Sequence, residues 1–197
     1  MLNEFGLIQQ YFNRPAPEGY LGVGDDCALF TPTPGWQLAS SVDLLIEGQH
    51  FFPDVDPFLL GHKALAVNLS DLGAMGAKPR ACLLALSMPA VRPEWLAAFS
   101  NGLFQLADQA QCPLIGGDTT RSKQEVVISI TVLGEVPAGQ ALQRSAAQAG
   151  DDIWLTGTLG AADIALRLLQ GRLAADPDRL AASRPALEQP WPPYRLG

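Results

Sequence analysis

Apolar and polar positions follow two rhythms along this chain, and the rhythm changes at glycine and proline. Residues 36–46 and 125–135 alternate with a period of two, which predicts strands. Residues 57–76, opened by Pro57 and loosened at Gly73 and Gly76, follow the helical period, as do residues 93–111 behind Pro93. Shorter runs predict a helix over 4–12, a Pro/Gly loop over 15–24, strands over 27–30, 80–88 and 113–117, a turn over 31–35 and a loop over 47–51. Strands and helices interleave, so the expected fold class is α/β (α+β), a mixed sheet with packed helices.

The helix over 57–76 is apolar nearly all round, the pattern of a helix packed between layers. Leu60, Ala64, Val67, Asp71 and Met75 recur at helical spacing and share one stripe, which predicts that Asp71 points inward. Residues 137–150, with two glycines and many small side chains, read as a boundary. It divides an N-terminal domain of residues 1–137 from residues 138–197, a linker and the start of a second α/β domain. That part predicts a strand over 152–156, a turn at Gly157-Thr158-Leu159-Gly160, a helix to residue 169, a polar helix over 176–183 and a proline-rich tail over 189–197. One strand and two helices bury too little surface to stand alone.

Composition narrows the function. The chain has 197 residues, 48% of them hydrophobic, and a formal net charge of −7 with no cluster of Lys or Arg, which argues against a nucleic-acid partner. Cys27, Cys82 and Cys112 show no C-x-x-C spacing, so neither a disulfide framework nor a zinc knuckle is supported, and a reducing cytoplasm is expected. The opening MLNEFGLIQQYF lacks the basic and continuously apolar regions of a signal peptide. No apolar run approaches the roughly 20 residues of a membrane span, so no membrane partner is expected.

Five aspartates carry the candidate chemistry: Asp25, Asp26, Asp43, Asp71 and Asp118 lie beside glycine or inside apolar segments. Two carboxylates about 5 Å apart at an effective dielectric of about 20 repel by roughly 3 kcal/mol, so convergence would require divalent cations or raised pKa values. Oxygen ligands favour magnesium. Gly22-Val23-Gly24-Asp25-Asp26 reads either as a plain turn with Asx hydrogen bonds or as a stiff turn presenting two ligands. Asp43 near a strand end either starts a turn or joins a ligand site, and Gly116-Gly117-Asp118-Thr119-Thr120 reads either as a hairpin turn or as a backbone that approaches phosphate. Arg144 is a phosphate clamp or a solvated side chain, His50 a substrate contact or a surface-loop residue, and His62 structural. No Walker sequence, Rossmann fingerprint or serine-hydrolase motif occurs.

Taken in order, Gly22-Val23-Gly24-Asp25-Asp26-Cys27-Ala28, Asp43 with Glu47-Gly48-Gln49-His50-Phe51, Lys63 to Leu72 with Asn68-Leu69-Ser70-Asp71, and Gly116-Gly117-Asp118-Thr119-Thr120 resemble the thiamine-monophosphate kinases. The resemblance runs from Glu4-Phe5-Gly6-Leu7-Ile8 through Arg144-Ser145 and Gly157-Thr158-Leu159-Gly160 to Arg195-Leu196-Gly197. It implies the superfamily shared with aminoimidazole ribonucleotide synthetase and selenophosphate synthetase, with ATP in a nonclassical site and a homodimer formed through the N-terminal domain. It implies transfer of the ATP γ-phosphoryl group to thiamine monophosphate, with no covalent enzyme intermediate. On the matching positions Asp26, Ser41, Val42, Asp43, Asp71 and Asp118 would hold Mg2+, Gly117, Asp118 and Arg144 would contact ATP, and His50 would contact thiamine monophosphate. Asp25 ranks behind Asp26. Val42 stands where the family has threonine, and the family's Asp-x-Ser-Asp-Gly motif does not occur in these 197 residues. The expectation for the chain by itself is therefore binding of magnesium–ATP with little or no turnover.

Overall fold

In the computed structural model, which describes residues 4–196, the chain opens with helix α1 (Glu4–Tyr11) and a small antiparallel ribbon of β1 (Tyr20–Leu21) and β2 (Leu29–Phe30). There follow β3 (Trp36–Ile46), α2 (Pro57–Ala74), β4 (Lys78–Met88), α3 (Pro93–Ala110), β5 (Leu114–Arg121) and β6 (Val127–Pro137). A 3-10 turn (Arg144–Ala146), α4 (Ala161–Leu169) and α5 (Pro177–Glu188) complete the order. Met1–Asn3, where the segment read as no signal peptide begins, and Gly197 lie outside the described residues.

The main sheet runs β3-β6-β4-β5, antiparallel except for the β4–β5 pair. That parallel pair is possible because α3 supplies the crossover a parallel connection needs. The mixed sheet with packed helices is the architecture expected. Helix α2 lies across β6 and β3, and α3 packs on α2. The interior between them holds Leu60, Leu65, Leu69, Phe99, Leu103, Leu86, Ile128 and Ile130, each almost fully buried. The two helices cross at glycine: a side chain at Gly61 would collide with the Phe99 carbonyl, and one at Gly102 with the Phe58 carbonyl. The other face of the sheet is open, and on β3 it presents Trp36, Leu38, Val42 and Leu44 to solvent.

Several expectations need correction. The strand expected over 27–30 shortens to Leu29–Phe30 and pairs with Tyr20–Leu21, inside the stretch read as loop. Stacking of Tyr20 on Phe30, with ring centroids 5.4 Å apart, favours that ribbon. The strand over 113–117 extends through Arg121, so Gly116-Gly117-Asp118-Thr119-Thr120 is edge strand and not a hairpin turn. Gly117 makes this possible: its φ is +150°, and a Cβ there would strike the Leu84 carbonyl of β4. Asp71 does not point into the core. Leu60 and Ala64 are buried, but Asp71 is exposed because its part of the stripe overhangs β3, the sheet's edge, where no further element among the described residues covers it. No strand forms over 152–156, where Ile153 is 100% exposed; among the described residues none pairs with it.

Residues beyond 137 do not stand apart. Helices α4 and α5 pack on each other and α5 touches α2. The tail lies against the α2–α3 pair, where His62 Nε2 meets the Pro190 carbonyl at 2.9 Å and the Tyr194 hydroxyl donates to the Gln109 carbonyl at 3.2 Å. His62, 1% exposed, is the structural residue expected, and Trp191 covers its ring at 6.0 Å.

The ribbon is tied to the sheet by a polar network. The buried Glu135 of β6 accepts from the Thr33 amide at 2.8 Å and hydroxyl at 2.7 Å, and from Arg80, whose Nε also donates to Tyr20 at 3.2 Å. Burial alone would raise the Glu135 carboxyl, but the Thr33 and Arg80 donors together hold it below its ordinary value. Its stabilisation is thus present above the unfolded value of 4.5 and is lost as pH falls through the depressed folded value. Glu135→Gln is expected to cost about 2–3 kcal/mol in urea unfolding at neutral pH and to remove this part of the acid sensitivity. Gly61→Ala, despite the better helix propensity of alanine, is expected to lower stability by at least about 2 kcal/mol in the same assay, because the helices must separate.

Candidate functional site

The candidate residues fall into two groups on opposite edges of the sheet. The first surrounds a cavity of about 870 Å³ walled by α1, the 23–28 loop, β4 and β5. Its polar lining includes Glu4, Gln9, Asp25, Asp26, Asp118 and Thr119 with the Gly116–Gly117 backbone, and Phe5, Ile8, Phe12 and Leu83 supply apolar surface. Edge strand β5 places Asp118 there in register with Ala85. The Asp25 carboxylate turns back to accept from the Asp26 amide at 2.8 Å. That bond spans one residue, not the two of an Asx turn, and it occupies one oxygen of Asp25. Thr119 was not singled out by sequence, yet its Oγ1 is buried in this wall without a hydrogen-bond partner.

The second group lies where α2 overhangs β3. Ser41 Oγ donates to Asp71 Oδ2 at 2.5 Å. The Asp43 amide donates to Asn68 Oδ1 at 3.0 Å, and Asn68 Nδ2 donates to the Ala64 carbonyl at 3.0 Å. Asn68, buried at 1% exposure, is therefore the residue that aligns Asp43 with α2. Its sequence signal was an amide on an apolar helix three residues before Asp71. Burial raises the Asp43 carboxyl, the charge of Asp71 raises it further, and His50 opposes both. Val42 alternates to the open face, 60% exposed, so its side chain is turned from this group and only its backbone adjoins it.

His50 sits in the turn after β3. Gly48, at φ +77°, turns the chain, the Gly48 amide donates to the Phe51 carbonyl at 2.8 Å and the His50 amide to the Ile46 carbonyl at 2.9 Å. The Ile46 amide donates to His50 Nδ1 at 3.1 Å. Nδ1 is thus the acceptor, and in the neutral ring the hydrogen rides on Nε2, available as a donor. Arg144 lies in the exposed 3-10 turn and lines neither the cavity nor the β3 edge.

The aspartates therefore do not converge within one chain. Asp43 and Asp118 occupy the two edge strands, three inter-strand spacings apart, on the order of 14 Å. Among the described residues no three His, Cys, Asp or Glu side chains are placed to hold one metal ion. Each group still offers hard oxygen donors, the kind a magnesium ion takes together with water and phosphate oxygens.

Comparison with known proteins adds the family context. The family described as AIR synthase related protein, N-terminal domain, matches residues 24–136. Thiamine-monophosphate kinase of Salmonella typhimurium is 49% identical over 173 residues, covering 86% of this chain and 53% of that relative. The crystal structure of thiamine-monophosphate kinase from Stenotrophomonas maltophilia K279a is similar with a TM-score of 0.83 at 46% identity, covering 91% of this chain and 58% of that one. AaThiL complexed with AMPPCP and TMP is similar with a TM-score of 0.75 at 25% identity, covering 98% and 60%. The chain thus spans about half the length of the curated relatives it matches.

The raised Asp43 carboxyl has a testable sign. The folded protein holds this proton more tightly than the unfolded chain, so the group costs stability above its raised value and the cost vanishes below 3.8. In a carbon-detected NMR titration, Asp71→Asn is expected to move the Asp43 midpoint down toward 3.8 without reaching it, because burial, the larger cause, remains. An unmoved midpoint would show that the two carboxylates do not sense each other.

Proposed function

This chain belongs to the AIR synthase-related family through its N-terminal domain, and from that premise and the two acidic groups we propose that it serves ATP-dependent phosphorylation of thiamine monophosphate to thiamine diphosphate. The observation that carries the reading is the cavity bordered by Asp26, Gly117 and Asp118, in a chain whose fold is similar to AaThiL complexed with AMPPCP and TMP. The cavity is of the size that encloses small ligands, and its apolar wall suits a base while its acidic edge suits metal-bridged phosphates.

In this reading Asp26 and Asp118 at the cavity, and Ser41, Asp43 and Asp71 at the β3 edge with the Val42 backbone, hold Mg2+. Gly117, Asp118 and Arg144 contact ATP, Arg144 on the strength of the family resemblance. Bound magnesium would neutralise phosphate charge and align the in-line attack. The chain's own part is placement. Asn68 fixes the Asp43 backbone, Ser41 orients Asp71 and the His50 Nε2–H donates to a phosphate oxygen of thiamine monophosphate. Transfer is direct, without a covalent enzyme intermediate.

One chain does not unite the two acidic groups, so a homodimer through the N-terminal domain belongs to the proposal. Trp36, Leu38, Val42 and Leu44, 39–60% exposed on the open sheet face, are the apolar surface that it would cover. A cytoplasmic setting is consistent with the three free thiols, and among the described residues no helix is long and apolar enough to cross a membrane.

A second reading for the chain by itself is a magnesium–nucleotide binding unit without turnover, since the cavity wall of Asp26 and Asp118 serves binding in both readings. An assay of thiamine diphosphate formation separates the two. Calorimetric titration with ATP is expected to show binding that disappears with chelator, and Asp118→Asn and Asp71→Asn are each expected to weaken it at least about tenfold, a difference of roughly 1.4 kcal/mol, without changing the fold. Equal affinity with and without the divalent cation would overturn the metal-bridged site.

A further inference from the structure

The turn that carries His50 is gripped from outside its own strand. Lys63, in the second turn of α2, is half-buried, and its Nζ donates to the His50 carbonyl at 3.0 Å. Behind it stands Glu188, the last residue of α5, 5% exposed. One carboxylate oxygen of Glu188 accepts from Arg184 Nε at 2.8 Å, and the other, Oε1, is buried with no hydrogen-bond partner. Lys63, Glu188 and His50 line a small cavity of about 60 Å³, together with Phe51, Phe52 and Leu187. Burial pushes the Lys63 amine down, and the Glu188 charge opposes that shift.

These contacts form a chain of dependence. A half-buried ammonium without a counter-charge would swing to water. With Glu188 behind it, the ammonium stays at the wall and keeps its bond to the His50 carbonyl. The Ile46 contacts fix the His50 amide and ring, whereas Lys63 fixes the carbonyl of the next peptide, between His50 and Phe51. The Gly48 and Gln49 amides bond within the turn, to the Phe51 and Ile46 carbonyls, whereas Lys63 ties the turn to α2.

We propose that Lys63, with Glu188 as its counter-charge, is a positioning pair that pins the His50 turn, so that the docking of α5 sets the aim of the His50 Nε2–H. The consequence for substrate rests on His50 being the thiamine monophosphate contact, and the geometric claim is tested apart from it. Amide hydrogen exchange and imidazole nitrogen shifts are measured on the full chain, with thermal unfolding as the control. Lys63→Met is expected to speed exchange of the Gly48 and His50 amides by about tenfold or more and to abolish the Nδ1-acceptor pattern of the ring, whereas Lys63→Arg restores both. Glu188→Gln, which keeps shape and removes charge, is expected to speed the same amides several-fold, and it decides the matter if Lys63→Met does not fold. Unchanged exchange and ring shifts in the folded variants would overturn the pair. Titration of thiamine monophosphate into the parent and His50→Ala tests the functional reading separately: equal affinity would sink the substrate role of His50, whatever the exchange data show.

Discussion

The burial of α2 on nearly every side is the constraint on which the rest of the molecule depends. It has the sheet beneath it, α3 against it at the Gly61–Gly102 crossing, and α5 and the tail against part of its remaining surface, which leaves the Asp71 end open. A helix held this closely places its polar residues with little freedom, and α2 carries four that matter. His62 receives the tail, Lys63 grips the His50 turn, Asn68 fixes the Asp43 backbone, and Asp71 meets Ser41. Loosening the glycine crossing would therefore disturb the acidic site as well as the core, because the same rigid element sets both.

The sheet treats its carboxylates in two opposite ways. Glu135 is buried but surrounded by donors from Thr33 and Arg80, and the donors outweigh desolvation, so its charge is a stabilising part of the fold. Asp43 is partly buried beside another carboxylate, with only His50 in opposition among the causes of its shift, and its charge is a cost in the chain alone. A fold that compensates one acid fully and leaves another uncompensated five residues along the paired strands has left that second position to something else. A cation is the simplest agent that would reverse the sign of the cost.

Periodicity alone was enough to locate β3, α2 and α3 within a residue or two, because each is long and bounded by proline or glycine. Elements decided by remote partners were not legible. Nothing near Tyr20 announces that it pairs with Phe30 and hooks Arg80, and the apolar Ile153-Trp154-Leu155 looks like a strand although no described residue pairs with it. The aspartates of the candidate site were conspicuous residue by residue, since aspartate next to glycine or inside an apolar helix is costly. Its division into two groups was not, because strand order β3-β6-β4-β5 sets β3 and β5 at opposite edges, and strand order is not written in any local pattern.

The same strand order gives the Gly116-Gly117 pair a meaning different from the one its sequence suggests. Adjacent glycines before an aspartate invite the idea of a loop folded around phosphate, yet here they let an edge strand press its backbone onto Leu84 of β4 and continue in register through Asp118. Had the glycines formed a free loop, Asp118 would have been mobile and its carboxylate a diffuse charge. Locked in a parallel ladder against Ala85, it is instead a fixed one, at the wall of a cavity whose opposite side is the Asp25–Asp26 turn. Preorganised charge of this kind requires no reorganisation when a cation or phosphate arrives, and that is the property phosphoryl transfer asks of a protein more than any reactive side chain.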